Sequence, residues 1–496
     1  MNANITGFPL SLFTEITIFK GVSEILNIFT IFKPCAVLKQ EPNTIIMKRR
    51  NFIKNTALAS GAFLMPDTYN WYSIKPKDKV IIIGGGLAGL AAAYALKKQG
   101  VNFIILESRK RVGGRVFSHQ IDNNLVIELG GEWVGNSHTR IQELCKELNL
   151  TLENNQFDTH LIYKGQYSQA KQWDYSKEWN ETFKKIIDDY DQFSDDDKIK
   201  LDQYDWWHFL VNKGCEGRDL DIRELLDSTD FGESIRHVSA FAALAEYAES
   251  SEKNEMDLKI KGGNSMLATA LLEKIGKQNI LTQHHVKSIE QKEKVTVVCS
   301  NGKAFIGSKI ICTAPTFALK KIQWSPALPP KMSDAINQLQ YARINKHALH
   351  YSKRFWKDEA FDLVSDQAPH YFYHATKNQP GESGVLISYS IGDKAAANAN
   401  QSNEYLAKDI CRCLEPHFGN IKNLLKGQVN YYWGNDAYSH GAYALYGIGQ
   451  WFGLRPVLKN SFLHTHFAGE HLADWQGFME GAINTGEEAV EAILQG

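Results

Sequence analysis

The stretch around residue 80 constrains this chain more than any other. An apolar run, Val80–Ile83, leads into Gly84-Gly85-Gly86-Leu87-Ala88-Gly89. A helical stretch, Leu90–Lys98, follows and stops at Gly100, and a second apolar run spans Phe103–Leu106. Strand, glycine turn, helix, strand is the order of a parallel βαβ unit. G-x-G-x-x-G alone is weak evidence, but set between those elements it specifies a dinucleotide-binding turn. Gly84 permits the tight turn, Gly86 lets a pyrophosphate approach the backbone, and Gly89 allows the helix to press on the strand. At Leu87 and Ala88 the helix N-terminus offers free amide donors to phosphate. Glu107 closes the second strand, where its carboxylate can accept from ribose hydroxyls and disfavours a 2′-phosphate.

The bulk properties set the surroundings of that unit. A length of 496 residues allows two domains with a ligand cavity between them. The formal net charge of -1 implies no polyanionic partner, nucleic acid included. No unbroken apolar run reaches the roughly 18 to 20 residues of a membrane span; the stretch Ile16–Phe32 is interrupted by Lys20 and Glu24. The cysteines at 35, 145, 215, 299, 312, 411 and 413 show no C-x-x-C spacing, and Cys411 and Cys413 are too close for ordinary disulfide geometry, so free thiols are expected. The histidine pairs His284-His285 and His464-x-His466 lack the further ligands of a zinc site, and no metal is expected.

Lys48-Arg49-Arg50-Asn51-Phe52-Ile53-Lys54, followed by the mild apolar run Thr56–Met65, resembles a twin-arginine export signal; a basic helix start is the alternative. That route carries folded proteins to the periplasm, which suits a chain that traps a cofactor first and needs no disulfides. Residues 47–76 then read as signal and linker, with Met47 as initiator. Residues 1–46 read either as an upstream translation artefact or as an amphipathic extension lying on a membrane surface.

After Glu107 come Arg109-Lys110-Arg111-Val112-Gly113-Gly114-Arg115 and, a strand later, Glu128-Leu129-Gly130-Gly131-Glu132-Trp133-Val134-Gly135. Further on stand Lys261-Gly262-Gly263-Asn264-Ser265, His285-Val286-Lys287-Ser288-Ile289 and Ile310-Ile311-Cys312-Thr313-Ala314-Pro315. The chain closes with Phe467-Ala468-Gly469-Glu470 and Trp475-Gln476-Gly477-Phe478-Met479-Glu480-Gly481-Ala482. In this order the segments resemble the flavin-containing monoamine oxidase superfamily of FAD-dependent amine oxidases, which also holds polyamine and L-amino-acid oxidases. The resemblance runs from Lys79 to the C-terminus and is weakest over Asn154–Asp257. It implies FAD rather than NAD. Glu107, Ser108, Arg109, Gly114 and Arg115 would hold the nucleotide side, with the backbone at Val286 against the adenine. Gly130, Gly131, Glu132 and Trp133 would run along the ribityl chain and ring, and Gly469 and Glu470 would serve the ribityl or phosphate side. A helix beginning near Gly477, with Phe478 and Met479, would aim its positive end at the flavin.

The implied architecture is α/β (α+β overall), a discontinuous Rossmann-like FAD-binding domain with an inserted substrate domain of mixed sheet and helices. Residues 77–150, 258–325 and 430–496 are assigned to the first, and 151–257 and 326–429 to the second. The first insert is helical in pattern, anchored by Trp206-Trp207-x-Phe209-Leu210 and Ile222–Leu226, and its Asp188–Asp197 cluster reads as a solvated helix face. The second insert alternates like a sheet through Ala348–Tyr351, Tyr371–Tyr373 and Val385–Tyr389, and is expected to floor the cavity.

Oxidation of an amine makes the flavin the electron sink, so the protein chiefly positions and desolvates. By resemblance, Lys346 reaches the flavin N5 through a water and favours electron transfer to dioxygen. Tyr443 and Phe478 match the two walls of an aromatic cage, with Trp475 and Trp433 completing the lining. Ala442 stands where mammalian monoamine oxidases carry the cysteine bonded to flavin, so the FAD should be noncovalent. Trp133 stands where L-amino-acid oxidases place a carboxylate-binding arginine. A primary amine, of aryl-alkyl type, is therefore the expected substrate, oxidised to imine or aldehyde and ammonia with dioxygen reduced to hydrogen peroxide. Glu132 leaves a diamine or polyamine open. The other readings are an L-amino-acid oxidase, a flavoenzyme like the carotenoid desaturases or protoporphyrinogen oxidases, and a flavin-holding carrier without turnover. The oligomeric state, homodimer included, stays open.

Overall fold

The computed structural model describes residues 79–251 and 253–495; the twin-arginine stretch, residues 1–46 and Cys35 lie outside them. The apolar runs on either side of the glycine turn are adjacent parallel strands, with Val80 opposite Phe103 and Ile82 opposite Ile105. They form the centre of a five-stranded parallel sheet, ordered Thr465–Phe467, Lys309–Cys312, Lys79–Ile83, Asn102–Leu106, Ile280–Leu281. Strand residues point alternately to the two faces, and the cores follow that alternation. Val80 and Ile82 belong to a core built with the helices Leu87–Lys98, Ser265–Ile275 and Met479–Gln495. Ile81 and Ile83 belong to another, shared with Val286, Ile289, Val295 and Val297 of a four-stranded sheet. A parallel sheet needs both faces covered, and here helices cover one and a second sheet the other.

The glycine turn closes as its sequence requires. Gly84 takes a φ of +104° and donates its N–H to the Leu106 carbonyl at 2.9 Å. A Cβ on Gly89 would stand 2.0 Å from the Gly84 carbonyl oxygen, so the helix lies on the turn at a distance only glycine allows.

The other large sheet has seven strands, ordered Leu425–Tyr432, Ile344–Tyr351, Gly384–Ile391, Tyr371–His374, Phe361–Ser365, Asp158–Tyr163, Gln166–Ser168. The three segments that alternate in the sequence are strands of it. The strand Leu425–Tyr432 runs past residue 429, so the sheet extends beyond the range assigned to the insert. Both faces are again buried: Ile344 and Ala348 lie in one core, Leu349 and Tyr351 in another beside the helix Asn403–Phe418. The first insert folds mainly as helices. Ser176, Asp205 and Ser239 cap three of them with side-chain oxygens, and Ser194 with Asp197 forms a capping box. Asp195, Asp196 and Asp197 stand in that helix's first turn, where the helix dipole favours negative charge. Buried Arg223 lies 3.6 Å from the centre of the Phe183 ring and 4.7 Å from that of Tyr175, and it pairs with Asp227 at 3.3 Å. The six described cysteines are buried and free. Among the described residues, no helix is long and apolar enough to cross a membrane.

The C-terminal helix locks onto the helix of the glycine turn at Gly486, where a Cβ would meet the Ala88 carbonyl oxygen at 2.2 Å. Gly486→Ala should therefore force the two helices apart and cost on the order of 1–3 kcal/mol, read as a lower Tm together with weaker cofactor retention. An unchanged Tm would show that the contact is not made.

Candidate active site

A cavity of about 380 Å³ runs from the glycine turn to the seven-stranded sheet. At one end it is lined by Gly84, Gly86, Leu87 and Ala88 from the turn and helix start, by Glu107, Ser108 and Arg109 from the end of the second strand, and by His285. Gly89 does not line it; its place is the helix–turn contact described above. Val286 does not line it either, being buried in its strand, and the neighbouring His285 takes the wall instead, its Nδ1 3.1 Å from Ser108 Oγ. The Glu107 carboxylate accepts the N–H groups of Gly85 and Arg109, each at 2.6 Å, which fixes it beside the turn.

Arg109 reaches across to the segment 436–439. It forms a bidentate pair with Asp436, both bonds at 2.7 Å, donates to Ser439 Oγ at 2.7 Å and lies 5.0 Å from the Tyr438 ring centre. Burial alone would push the Asp436 carboxyl up, but Arg109 and the N–H groups of Ser439 and Tyr438 outweigh it and hold the group at about 2.

The middle of the cavity is walled by Gly114, Arg115, Gly130, Gly131, Gly469, Glu470, Gly477 and Met479. Glu470, expected on the cofactor side, lines this wall and is also bonded within the protein. Arg115 donates to it at 2.6 Å, and the N–H groups of Gly477 and Ala444 add bonds at 2.8 and 3.3 Å. Burial opposes the charge on Arg115, yet Glu470 keeps it above its ordinary range. Glycine backbones meet here: a Cβ on Gly114 would come within 3.2 Å of Gly86 Cα, and one on Gly131 would touch the Met479 side chain at 3.6 Å. Side chains at those points would fill the groove, so the cradle fits a flat, extended cofactor lying against bare backbone. The helix Met479–Gln495 starts at this wall, two residues later than the expected Gly477, whose φ of +82° belongs to the turn before it.

At the far end stand Lys346, Trp133, Tyr389, Trp433, Tyr443 and Phe478. Lys346 projects from its strand with 3% exposure. Its Nζ donates to the carbonyls of Gly130 at 2.9 Å and Glu128 at 3.2 Å, and to Glu132 Oε2 at 3.1 Å. Burial depresses its pKa, and Glu132 offsets part of that. Glu132 also accepts from Lys259 at 3.1 Å and from the Tyr373 hydroxyl; despite burial, these partners hold it below the usual carboxylate range. Its carboxylate is thus spoken for and is no open receptor for a diamine. Tyr443 follows Ala442 through a cis peptide. Its hydroxyl donates to the Asp230 carbonyl, and its ring lies against Gly477, where a Cβ would meet Tyr443 Cδ2 at 2.9 Å. Trp433 lines the cavity and is anchored by its Nε1 to the Leu129 carbonyl at 2.8 Å. Trp475 does not line it. Its ring backs Phe478 at 6.0 Å and His138 at 5.5 Å, so it supports a wall rather than being one.

Asp230, Glu246 and Phe231 also line the cavity, and none of the three stands out in the sequence. Asp230 and Glu246 lie on helices within the stretch of weakest resemblance, where only the tertiary packing turns them inward.

A dinucleotide cradle that opens onto a buried lysine among aromatic rings defines a flavin-dependent oxidoreductase. The family described as "Flavin containing amine oxidoreductase" matches residues 87–494, and the chain belongs to that family. It is 25% identical over 454 residues to human amine oxidase [flavin-containing] B, covering 84% of this chain and 86% of that one. It is 26% identical over 442 residues to the probable flavin-containing monoamine oxidase A of Dictyostelium discoideum, covering 82% and 95%. Among solved structures, cyclohexylamine oxidase from Brevibacterium oxydans IH-35A superposes with a TM-score of 0.76 at 22% identity. Wild-type putrescine oxidase bound to putrescine gives 0.76 at 21%. Each comparison covers 84% of this chain and 99% of the other. The chain is accordingly an oxidoreductase using flavin, with a small amine as substrate and oxygen as partner.

The Asp436 carboxyl is depressed from 3.8 to about 2, so its pairing with Arg109 stabilises the fold fully above about pH 4 and is lost as pH falls through about 2. Asp436→Asn should cost on the order of 2–3 kcal/mol near neutrality, with the gap to the wild type closing toward pH 2. Urea unfolding at several pH values measures this; a gap independent of pH would contradict the pairing.

Proposed function

We propose that the chain catalyses FAD-dependent oxidative deamination of a primary amine to the imine, and hence aldehyde and ammonia, with dioxygen reduced to hydrogen peroxide and the FAD held noncovalently. The observation that carries this reading is Lys346, buried on the sheet strand at the ring-lined end of the same cavity that begins at the glycine turn. FAD, when bound, supplies the acceptor for the hydride equivalent of the α-C–H bond. The protein's share is placement and exclusion of water. Trp133, Tyr389, Trp433, Tyr443 and Phe478 surround the reacting end with rings, which desolvate an amine and favour its neutral form, the form whose lone pair is available. Tyr443 is fixed at both ends, by Gly477 at the ring and by Asp230 at the hydroxyl. Lys346 places an amino group at the site, held by two carbonyls and Glu132.

The charge distribution favours an amine over an amino acid. Of the cations on the cavity wall, Lys346 is bound to Glu132, Arg115 to Glu470 and Arg109 to Asp436, Lys321 lies 3.9 Å from the centre of the Phe317 ring, and the one beside Trp133, Lys346, is the one held by Glu132. The ring lining supports the aryl-alkyl amine expected from sequence, although carboxylates share that lining. Noncovalent FAD is supported by Ala442 on the wall and by the absence of any described cysteine from it.

Anaerobic mixing with benzylamine, phenylethylamine, putrescine and amino acids tests the reading: an amine should bleach the flavin band and, in air, yield peroxide. Bleaching by amino acids alone, or by nothing, would overturn it. Acid precipitation should leave the yellow colour in the supernatant. Lys346→Met should slow reoxidation in air by about tenfold or more while bleaching slows less; equal slowing contradicts the role. Tyr443→Ala should slow bleaching by on the order of tenfold with FAD still bound, and unchanged bleaching would remove Tyr443 from the cage.

A further inference from the structure

The surroundings of Lys346 are shaped for a charged group. Its Nζ faces three acceptors, the carbonyls of Glu128 and Gly130 and the Glu132 carboxylate, contributed by every second residue of the second glycine segment. An ammonium has three N–H donors and no acceptor, whereas a neutral amine would turn its lone pair toward one of these oxygens. The rings of Trp133, Tyr373 and Tyr389 have their centres 5.4, 5.6 and 5.8 Å from Nζ, within the reach of a cation–π contact. Burial depresses the Lys346 pKa, and these acceptors and rings work against that.

Lys346 and Glu132 alone would cancel. A second lysine changes the sum. Lys259, on the strand Leu258–Ile260, donates to the other oxygen of Glu132 at 3.1 Å and to the Ala375 carbonyl at 3.3 Å. Glu132 and Lys346 line the cavity, and Lys259 does not. Burial opposes the charge on Lys259, yet Glu132 and Glu128 keep it above its ordinary range. The other groups packed here add little to the balance. Burial, then Glu132, holds the Tyr373 hydroxyl well above the ordinary tyrosine range. Glu153, opposite Lys259 on the neighbouring strand, pairs with Lys261 at 3.1 Å. The Glu128 carboxyl accepts from Ser118 Oγ and the Asn264 N–H, each at 2.9 Å, and burial pushes it up to about 7, so it is mostly protonated at pH 6. Two cations then stand against one anion.

We infer that Lys259 is a positioning residue for the flavin chemistry: it neutralises Glu132 from outside the cavity, so that the charge of Lys346 faces the cavity uncancelled. Reduced flavin carries a negative charge that the oxidised form lacks, and an uncancelled cation on a wall shielded from water favours it. Without Lys259 the same wall would be neutral. The inference rests on the placement of Lys346 at the reacting end in the functional reading above, and it holds whichever amine reacts.

Midpoint potentials of the bound flavin, measured at pH 6 with no amine present, test it. Lys259→Met should shift the two-electron reduction equilibrium about tenfold against the reduced flavin, a fall of about 30 mV. Lys259→Arg should keep the wild-type potential. Adding Glu132→Gln to Lys259→Met should bring the potential back, because the carboxylate that cancels Lys346 is then gone; a structural defect is not repaired by removing a second partner. If Lys259→Met fails to retain flavin, Lys259→Gln, which leaves an N–H donor for Glu132 but no charge, should show the same fall. An unchanged potential in these neutral variants, or a fall that Lys259→Arg shares, overturns the inference. Lys346→Met separates it from the reading beneath: if that variant also leaves the potential unchanged, Lys346 does not stand beside the flavin and the placement itself fails.

Discussion

The carboxylate of Glu132 holds the two halves of the site together. It comes from the second glycine segment, yet its partners come from elsewhere: Lys346 and Tyr373 from strands of the seven-stranded sheet and Lys259 from the strand Leu258–Ile260. A lone charge at this depth would cost several kcal/mol, and removing one member of such a cluster strands the others. The arrangement therefore fixes where the glycine backbone stands relative to the sheet, and with it where a flavin edge can meet a substrate. The same bonds aim Lys346: the carbonyls of Glu128 and Gly130 supply its remaining partners, so the ammonium is positioned by the backbone it must serve.

A different economy governs the nucleotide end. Glycines at 84, 86, 89 and 114 remove side chains where backbone must approach backbone, and the ion pairs Arg109–Asp436 and Arg115–Glu470 draw distant segments over the cradle. Glu470 lines the cavity and also ties its walls together. By accepting from Arg115, Gly477 and Ala444 it sets the positions of two walls at once.

Much of this was legible in the sequence, and the boundary of legibility is physical. The glycine turn, the parallel strands beside it and the sheet of the second insert follow from local periodicity and from the backbone freedom of particular glycines. Lys346, Tyr443 and Phe478 sit in segments with strong local signatures, and the cavity includes all three. Trp475 was placed on the wall because its neighbours are there, but its ring turns away to back Phe478 and His138. At Val286 the side chain is buried, and its neighbour His285 lines the cavity. Asp230 and Glu246 could not be read in advance. On an amphipathic helix an inward-facing acid and a solvated one look alike until the partner helix is known, and Asp227 and Asp230, three residues apart, meet opposite fates.

The order of strands in the parallel sheet has a consequence for how the protein comes into being. Among the described elements, its edge strand Thr465–Phe467 and the helix Met479–Gln495 stand near the end, while the turn follows the first strand. Four of the five strands are complete by Cys312, but the edge strand and the wall formed by Gly469, Glu470, Gly477 and Met479 come from the far later segment. Closure of the cradle therefore pairs segments remote in sequence, which is a slow event. Until then the strand Lys309–Cys312 lacks its outer neighbour, an open edge of the kind that invites pairing with other chains.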